Sequence, residues 1–225
     1  TGDSRYLDRL YLLAETILGT IGEDGCYDPE NGCTHERFHM DWTEAIDSTK
    51  GLTNYGHVTE AGWFIGKLAA YTDDGEQWEL AKGLVDWALE HGFDRERGGL
   101  FDYGKPTGQV VRDIKTWWNQ AELLGALAFL HRTTGQDAYY GALEKHVGFI
   151  EKYVLDNEYG EWYPQVTPEG AVVKGREAGL WDNKGGPHKC PYHVIQGLYH
   201  AYNDLLRAAG EKVVEEPKNW SDYCL

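Results

Sequence analysis

Apolar side chains recur every three to four positions in six stretches of the chain, the spacing that predicts amphipathic helices. In the first stretch one stripe carries Tyr6, Leu10, Leu13 and Ile17. The predicted helices cover residues 4–19, 57–72, 76–91, 115–133, 138–154 and 191–209. Three of them are followed by a glycine, a residue that commonly ends a helix at positive φ. These glycines are Gly92, Gly135 and Gly210.

The connections between these helices alternate in length. TDDGE and TTGQD are short turns, whereas the connections before the second, fourth and sixth helices are long and hold β-prone or turn-rich pieces. One of these pieces, VTPEG at residues 166–170, predicts a hairpin turn. An outer helix, a long loop, an inner helix and a short turn thus occur three times. This pattern predicts an all-α fold of the α/α-toroid type with short β-hairpins in its long loops. A generic helical repeat is the alternative, but it does not explain why the long loops alternate.

Size and charge restrict the class of protein. The 225 residues fit one domain with a substantial core, which we assign to residues 1–225 with a C-terminal tail at residues 211–225. The formal net charge of −16 argues against nucleic acid or an anionic membrane as a partner. Nine Trp and fifteen Tyr are enough to build a core and still leave aromatic rings for the apolar faces of a sugar.

The four cysteines, Cys26, Cys33, Cys190 and Cys224, form no CxxC motif. Cys26 and Cys33 lie in one loop, where they would either pair or remain reduced. A metal site with His35 is a further alternative, although the spacing matches no common zinc pattern. Reduced thiols in a cytoplasmic protein are the simplest interpretation, because no membrane-length apolar run or signal-like segment is present. We predict no metal and no other cofactor.

Two histidines stand at the start of predicted helices, His57 in GHVTEAGW and His193 in KCPYH. Parallel inner helices would bring both to one mouth, where they could move protons on opposite faces of one substrate. Glu60 lies three residues after His57 and is expected to hold its ring, since i and i+3 share a helix face. His193 lies in a first turn, where the helix dipole favours a neutral imidazole. Both are equally compatible with inert surface or capping histidines.

The fourth predicted helix opens with KTWWNQAE, residues 115–122. Adjacent tryptophans on a helix point about 100° apart, so one of the pair can face the mouth and the other the core. A rim loop with further candidates precedes His193. The predicted sugar contacts are Tyr55, Trp117, Trp118, Gln120, Glu122, Trp181, His188 and Tyr192.

Four segments together resemble the N-acylglucosamine 2-epimerase superfamily, which includes cellobiose 2-epimerases and mannose isomerases. They are FHMDW (38–42), YGHVTEAGW (55–63), KTWWNQAE (115–122) and KCPYH (189–193). The resemblance implies an (α/α)6 barrel that acts on a reducing sugar without a metal. It implies that His57 and His193 exchange a proton at C2 through an enediolate, with support from Glu60. Return of the proton to C2 gives the epimer, and delivery to C1 gives the ketose.

The chain departs from this family pattern in three ways. It supplies about six of the twelve barrel helices and resembles the C-terminal half, so it is expected to pair with itself or with a missing N-terminal half. His188 replaces a tryptophan of the cellobiose epimerases, and the arginine that usually follows the last histidine is missing. A non-catalytic carbohydrate-binding or degenerate remnant is the second hypothesis. The third is an α/α-toroid glycoside hydrolase with Glu60 and Glu122 as its carboxylates.

Overall fold

A computed structural model of the protein, which describes residues 4–18, 26–175 and 182–213, contains all six predicted helices. Their bounds are α1 (Ser4–Leu18), α3 (Tyr55–Thr72), α4 (Gly75–His91), α5 (Trp117–Thr134), α6 (Asp137–Phe149) and α7 (Tyr192–Ala208). One short helix, α2 (Ile46–Thr49), was not predicted. The predicted fifth helix ends in a π-helical turn, Ile150–Val154, that follows α6 directly. None of the described helices is long and apolar enough to cross a membrane.

The long loops carry short antiparallel strands, as predicted. The strands are β1 (Tyr27–Asp28), β2 (Cys33–Thr34), β3 (Thr53–Asn54), β4 (Tyr103–Gly104), β5 (Val110–Arg112), β6 (Lys115–Thr116) and β7 (Gln165–Val166). They form three small sheets, β1-β2, β3-β4-β5 and β6-β7. The predicted turn at residues 166–170 is present, because Thr167 N–H donates to the Ala171 carbonyl at 2.8 Å and Gly170 has φ +88°. Strands β3 and β6 lead directly into α3 and α5, so the sheets set where these helices begin.

Helices α3, α5 and α7 form one layer in which α5 packs against both neighbours. Behind this layer α4 packs on α3, and α6 packs on α5. Thirteen residues of α5 are buried, which explains why its apolar residues lie on all sides of the helix and not along one stripe. The arrangement is half of an α/α toroid, with α3, α5 and α7 as inner helices and α4 and α6 as outer helices.

Two of the three predicted helix-ending glycines adopt positive φ, Gly135 at +67° and Gly210 at +73°. Gly92 does not, since its φ is −109°, so the prediction is wrong there. A Cβ at Gly92 would lie 2.4 Å from the ring of Tyr55. The glycine is therefore needed for close packing between the end of α4 and the start of α3, not for a left-handed cap.

A buried ion pair holds the loop between α4 and β4 against the start of α5. Lys115, whose side chain is fully buried, donates to the Asp94 carboxylate at 2.8 Å and to the Gly98 carbonyl at 2.7 Å. Its ammonium also lies over the ring of Phe149, 4.3 Å from the centroid. The opening lysine of KTWWNQAE is thus a structural residue that fixes this loop.

Apolar side chains remain exposed on α1 and α7. On α1 the stripe of Tyr6, Leu10 and Leu13 faces solvent, so this part of the predicted periodicity contributes nothing to the core. On α7 the exposed side chains are Ile195, Leu198 and Tyr202. Large exposed apolar faces are uncommon on isolated domains and mark contact surfaces.

Cys26, Cys33 and Cys190 are free thiols, so the loop disulfide is not formed. Cys224 lies outside the described residues. Within the described part of the chain, Cys26, Cys33 and His35 do not come together as a set of metal ligands. Burial raises the pKa of Cys33 to about 12, helped by the negative charge of Asp28, so this thiol stays protonated and unreactive.

Candidate active site

The first turns of α3, α5 and α7 meet at one end of the inner layer. The ring of Trp118 contacts both predicted histidines, with its centroid 4.6 Å from that of His57 and 5.6 Å from that of His193. Both imidazoles therefore lie beside the same tryptophan at this end of the inner layer. Trp118 is the member of the tryptophan pair that faces the mouth.

His57 is held by a carboxylate that the sequence analysis did not identify. Its Nδ1 lies 2.7 Å from Oε2 of Glu36, which sits in the loop after β2. The expectation that Glu60 holds this ring is therefore wrong, although Glu60 shares the helix. Desolvation lowers the pKa of His57, but the hydrogen bond and negative charge of Glu36 outweigh it, so the pKa is raised.

His193 is held by Glu122, which lies on α5 four residues after Trp118. Its Nδ1 is 2.6 Å from Oε1 of Glu122, a carboxylate whose side chain is fully buried. The other oxygen of Glu122 accepts a hydrogen bond from Nε1 of Trp63 at 2.8 Å. Glu122 was predicted as a sugar contact, but both of its oxygens are engaged within the protein. It is placed to orient His193 and to stabilise the imidazolium when that forms.

Glu60 lies closer to the His193 side of the mouth than expected. A carboxylate oxygen of Glu60, one of Glu122 and a ring nitrogen of His193 all lie within 4.8 Å of one another. Burial raises the pKa of Glu60, and the negative charge of Glu122 adds to this, while both histidines oppose it. The raised pKa favours the protonated form of Glu60, so this carboxyl group can carry a proton at the mouth.

Glu60, Glu122 and His193 are also the one group of described side chains close enough to hold a metal ion. However, Nδ1 of His193 is already engaged by Glu122 at 2.6 Å. This spacing is that of a charge-assisted hydrogen bond, and a metal would have to separate the two groups. The geometry fits an acid/base pair without rearrangement.

Two glycines allow the three helices to approach this closely. A Cβ at Gly56, in the first turn of α3, would lie 2.5 Å from the side chain of Asn119 and 2.8 Å from the ring of Trp118. A Cβ at Gly197, on α7, would lie 2.3 Å from the carbonyl of Ala121. These positions need glycine because the backbone itself is the packing surface. The first brings His57 to Trp118, and the second brings His193 to Glu122.

A buried aspartate ties the starts of α3 and α5 together. Asp102 accepts hydrogen bonds from Nδ2 of Asn54 at 3.0 Å and from the Thr116 hydroxyl at 3.3 Å, and Nη1 of Arg112 lies 3.2 Å away. Asn54 caps α3, because its side chain accepts from the backbone N–H groups of Gly56 and His57. Asp102 therefore fixes the relative position of the helix starts that carry His57 and Trp118.

Three predicted sugar contacts are buried within the fold instead. Tyr55 is fully buried and its hydroxyl donates to the Gly108 carbonyl at 3.0 Å. Gln120 bonds with both backbone groups of Leu100, and Trp117 packs beneath Lys189. Their burial leaves them no surface for a substrate, so we assign them structural roles.

The rim residues are placed more as expected. Tyr192 is exposed at the lip, with its ring edge-on to His193 at 4.8 Å. Burial raises the pKa of Tyr192, as do the negative charges of Glu60 and Glu122. His188 is exposed on the loop before α7. Trp181 lies outside the described residues.

Both histidines present the same chemical arrangement. A carboxylate at Nδ1 selects the tautomer with the proton on Nδ1, which leaves Nε2 as the nitrogen that accepts or donates a proton. The arrangement can therefore remove a proton at one point and deliver one at another, with an aromatic surface between them.

Sequence reasoning missed Glu36, Asp102 and Trp63 as members of the site. Trp63 ends the GHVTEAGW segment, six residues after His57, so its place in that segment was a usable signal. Glu36 is 21 residues from His57 and Asp102 is 48 from Asn54, so neither has a fixed spacing to the residue it holds. No periodicity rule identifies such loop residues.

Comparison with known proteins gives a consistent family. A family model described as N-acylglucosamine 2-epimerase (GlcNAc 2-epimerase) matches residues 1–184. N-acylglucosamine 2-epimerase of Mus musculus is 31% identical over 202 residues, which cover 86% of this chain and 42% of that protein. Cellobiose 2-epimerase of Eubacterium cellulosolvens is 29% identical over 163 residues, 70% of this chain and 37% of that protein.

Among solved structures, a D-mannose isomerase matches with a TM-score of 0.75 at 25% identity. The match covers 90% of this chain and 51% of that structure. The chain thus spans less than half the length of the curated relatives described above, and about half of this barrel.

Proposed function

The chain belongs to the N-acylglucosamine 2-epimerase family, and we propose that it is the half of the barrel that carries the catalytic histidines of a sugar 2-epimerase or aldose–ketose isomerase. The observation that carries this proposal is the placement of two histidines against the same tryptophan, Trp118, each with Nδ1 held by a carboxylate. The proposed substrate is a reducing sugar in its open-chain form.

The proposed reaction moves one proton from C2 and returns one. The neutral Nε2 of one imidazole takes the C2 proton of the aldose, and the electron pair of that bond forms an enediolate with the C1 carbonyl. The other imidazole, protonated, then delivers its proton. Delivery to the opposite face of C2 gives the epimer, and delivery to C1, with proton transfer between the two oxygens, gives the ketose.

Neighbouring groups support this reaction in distinct ways. Trp118 offers an aromatic surface between the imidazoles against which the sugar carbons can lie. Glu122 stabilises positive charge on His193 after proton abstraction, as carboxylates do for catalytic histidines. Glu60, whose pKa is raised by burial, can donate a proton to a sugar oxygen during ring opening. Tyr192 and His188 lie on the rim, where they would contact the distal part of the sugar.

The two competing functions are less well supported. A glycoside hydrolase would need Glu122 free to reach a glycosidic oxygen, yet this carboxylate is fully buried and engaged with His193 and Trp63. A sugar-binding remnant needs no hydrogen bond at the Nδ1 of either histidine. The paired carboxylates therefore favour catalysis over binding alone.

Proton NMR in D2O tests the proposed function. The protein is incubated with mannose, glucose, N-acetylmannosamine and cellobiose in turn. We expect deuterium to appear at C2, or at C1 of the ketose product, of at least one sugar, because the abstracted proton exchanges with solvent. If well-folded protein, assembled with the second half-barrel proposed below, exchanges no proton of any of these sugars, the proposed catalytic function is contradicted. The sugar-binding remnant is then favoured.

We also propose that a second half-barrel covers the exposed apolar faces of α1 and α7. The curated relatives described above are more than twice as long as the matched segment, which indicates that the family barrel needs a complementary half. The occupant that fits best is the N-terminal half of such a barrel, whether it is fused to this chain or separate.

Multi-angle light scattering tests this closure. We expect the 225-residue chain alone to form oligomers of mixed size. We expect it to form a defined 1:1 species when an N-terminal half-barrel of a relative is added. A stable, non-aggregating monomer that does not bind the added half-barrel would contradict the proposed closure. A stable dimer of the chain alone would show that a second copy is the partner instead.

A further inference from the structure

Glu36 stands outside the proton transfers described above, yet it touches His57 directly. We propose that Glu36 is a positioning residue that fixes the orientation and tautomer of His57 and keeps this imidazole protonated as the resident proton donor of the site. The proposal rests on the proposed function in one respect, namely that the proton on His57 is used in catalysis.

The contacts of Glu36 are those of a rigid support. One oxygen lies 2.7 Å from Nδ1 of His57, and the other accepts the backbone N–H of Asn54 at 2.9 Å. Only 6% of the Glu36 side chain is exposed, whereas the His57 side chain is 49% exposed. Asn54 is the residue that caps α3, so the Glu36 carboxylate binds both the start of this helix and the imidazole of His57.

The segment that carries Glu36 is anchored through the two residues that precede it. His35 N–H donates to the Cys26 carbonyl at 2.7 Å, and the Thr53 hydroxyl donates to the Thr34 carbonyl at 2.5 Å. These bonds tie the residues before Glu36 to the β1-β2 hairpin and to β3. The carboxylate is therefore presented from a fixed backbone and does not depend on a flexible side chain to find the imidazole.

The charges around His57 come from three elements and share one sign. Glu36 contributes from the loop after β2, Glu60 from α3 itself, and Asp102 from the loop before β4. Arg112 neutralises part of the Asp102 charge through their 3.2 Å contact. On the α5 side the neighbour is the uncharged ring of Trp118. Glu36 is the nearest negative charge and the one hydrogen-bonded to the ring, so it is the main source of the raised pKa of His57.

His193 does not have the same support. Its partner Glu122 gives its second oxygen to the side chain of Trp63, not to the backbone of the helix that carries the histidine. The two imidazoles therefore differ in how they are fixed. Of the two, only His57 is held by a carboxylate that also binds the start of its own helix.

The Glu36→Gln variant, followed by NMR titration of the His57 Cε1–H resonance, tests the proposal without any need for turnover. The resonance is identified by its loss in His57→Gln. We expect the titration midpoint of His57 to fall by about one pH unit or more, because the amide removes the negative charge. Glu44→Gln is the matched control, since Glu44 holds His35 at 3.0 Å on the same loop. It should leave the His57 midpoint unchanged.

A His57 midpoint that is equal in wild type and Glu36→Gln would overturn the proposal. If Glu36→Gln does not fold, Glu36→Asp is used in its place. We expect a smaller fall in the His57 titration midpoint, because aspartate keeps the negative charge but holds it farther from the imidazole. Loss of activity through a structural defect alone would leave the midpoint where it was, so the two cases are distinguishable.

The pH dependence of the interconversion of the two sugars gives the catalytic readout, because interconversion needs both the base and the donor. A donor histidine must be protonated, so activity is lost as pH rises through its pKa. We expect this alkaline limb to lie at lower pH in Glu36→Gln than in wild type, and Glu36→Asp to restore part of the difference. A limb that does not move while the NMR midpoint does would assign the resident donor to another group. Absence of exchange in wild type would count against the proposed function and leave the NMR result for Glu36 intact.

Discussion

Replacement of His193 by Asn lowers the rate of interconversion of the two sugars by about 10³-fold, within the range observed when an acid/base residue is lost. Asparagine preserves the shape near Nδ1 and can still bond Glu122, but it has no nitrogen that exchanges a proton near neutral pH. His193 has its Nδ1 fixed 2.6 Å from a buried carboxylate, so its Nε2 is held in one position for proton transfer. Product formation, measured by NMR from each sugar, gives the rate.

His131→Asn is the control for this experiment. His131 lies in the last turn of α5, at the opposite end from Trp118, where it contacts the Gln136 carbonyl and the ring of Tyr140. We expect it to keep wild-type interconversion. Sugar binding by His193→Asn should also persist, because the variant removes proton transfer and not the aromatic surface. Interconversion that survives in His193→Asn within a few fold of wild type would show that His193 is not an acid or base in this reaction.

Replacement of Lys115 by Ala has the largest expected effect on stability, a loss of about 3–5 kcal/mol in the free energy of unfolding. The substitution leaves the Asp94 carboxylate, which is 8% exposed, without its cationic partner in the interior. It also frees the Gly98 carbonyl and removes the ammonium from the face of Phe149. Urea unfolding followed by tryptophan fluorescence measures the change.

Lys82→Ala is the matched control for the lysine substitution. Lys82 pairs with Asp86 at 2.6 Å on α4, but this pair is partly exposed, and such pairs contribute about 0.2–1 kcal/mol. The two variants remove the same side chain from an ion pair of similar length and differ mainly in burial. Equal losses in the two variants would show that the Lys115 pair is not the support described for the loop between α4 and β4.

The helices and the mouth were predictable because both depend on local sequence. Apolar periodicity located every long helix within a few residues, and the alternation of long and short loops placed His57, the tryptophan pair that opens α5 and His193 at the same end. Adjacent tryptophans could not be told apart until α5 was known to be buried on nearly all sides. The direction of each ring follows from packing and not from its own spacing.

The partners of the histidines were not predictable for a related reason. The i, i+3 rule predicted Glu60 as the partner of His57. However, His57 lies in the first turn of α3, where its ring faces the loop after β2 and binds Glu36. Likewise, Gly92 matched the pattern of a helix-ending glycine at positive φ. Its role is instead to leave space for the ring of Tyr55, which packs where a Cβ would lie. The stripe on α1 predicted core packing, but within the described residues it finds no cover, because the covering surface would come from another half of the barrel.

The central claim is that His57 and His193 act on opposite faces of C2, and proton exchange by the two single variants tests it most directly. His57→Asn and His193→Asn are each incubated in D2O with the two C2 epimers as separate substrates, in the assembly that is active as wild type. The account predicts a complementary pattern: each variant still exchanges the C2 proton of the one epimer that its remaining histidine can reach, and neither interconverts them. If one variant loses exchange with both epimers while the other retains both, a single base does all the chemistry, and the two-histidine account is wrong.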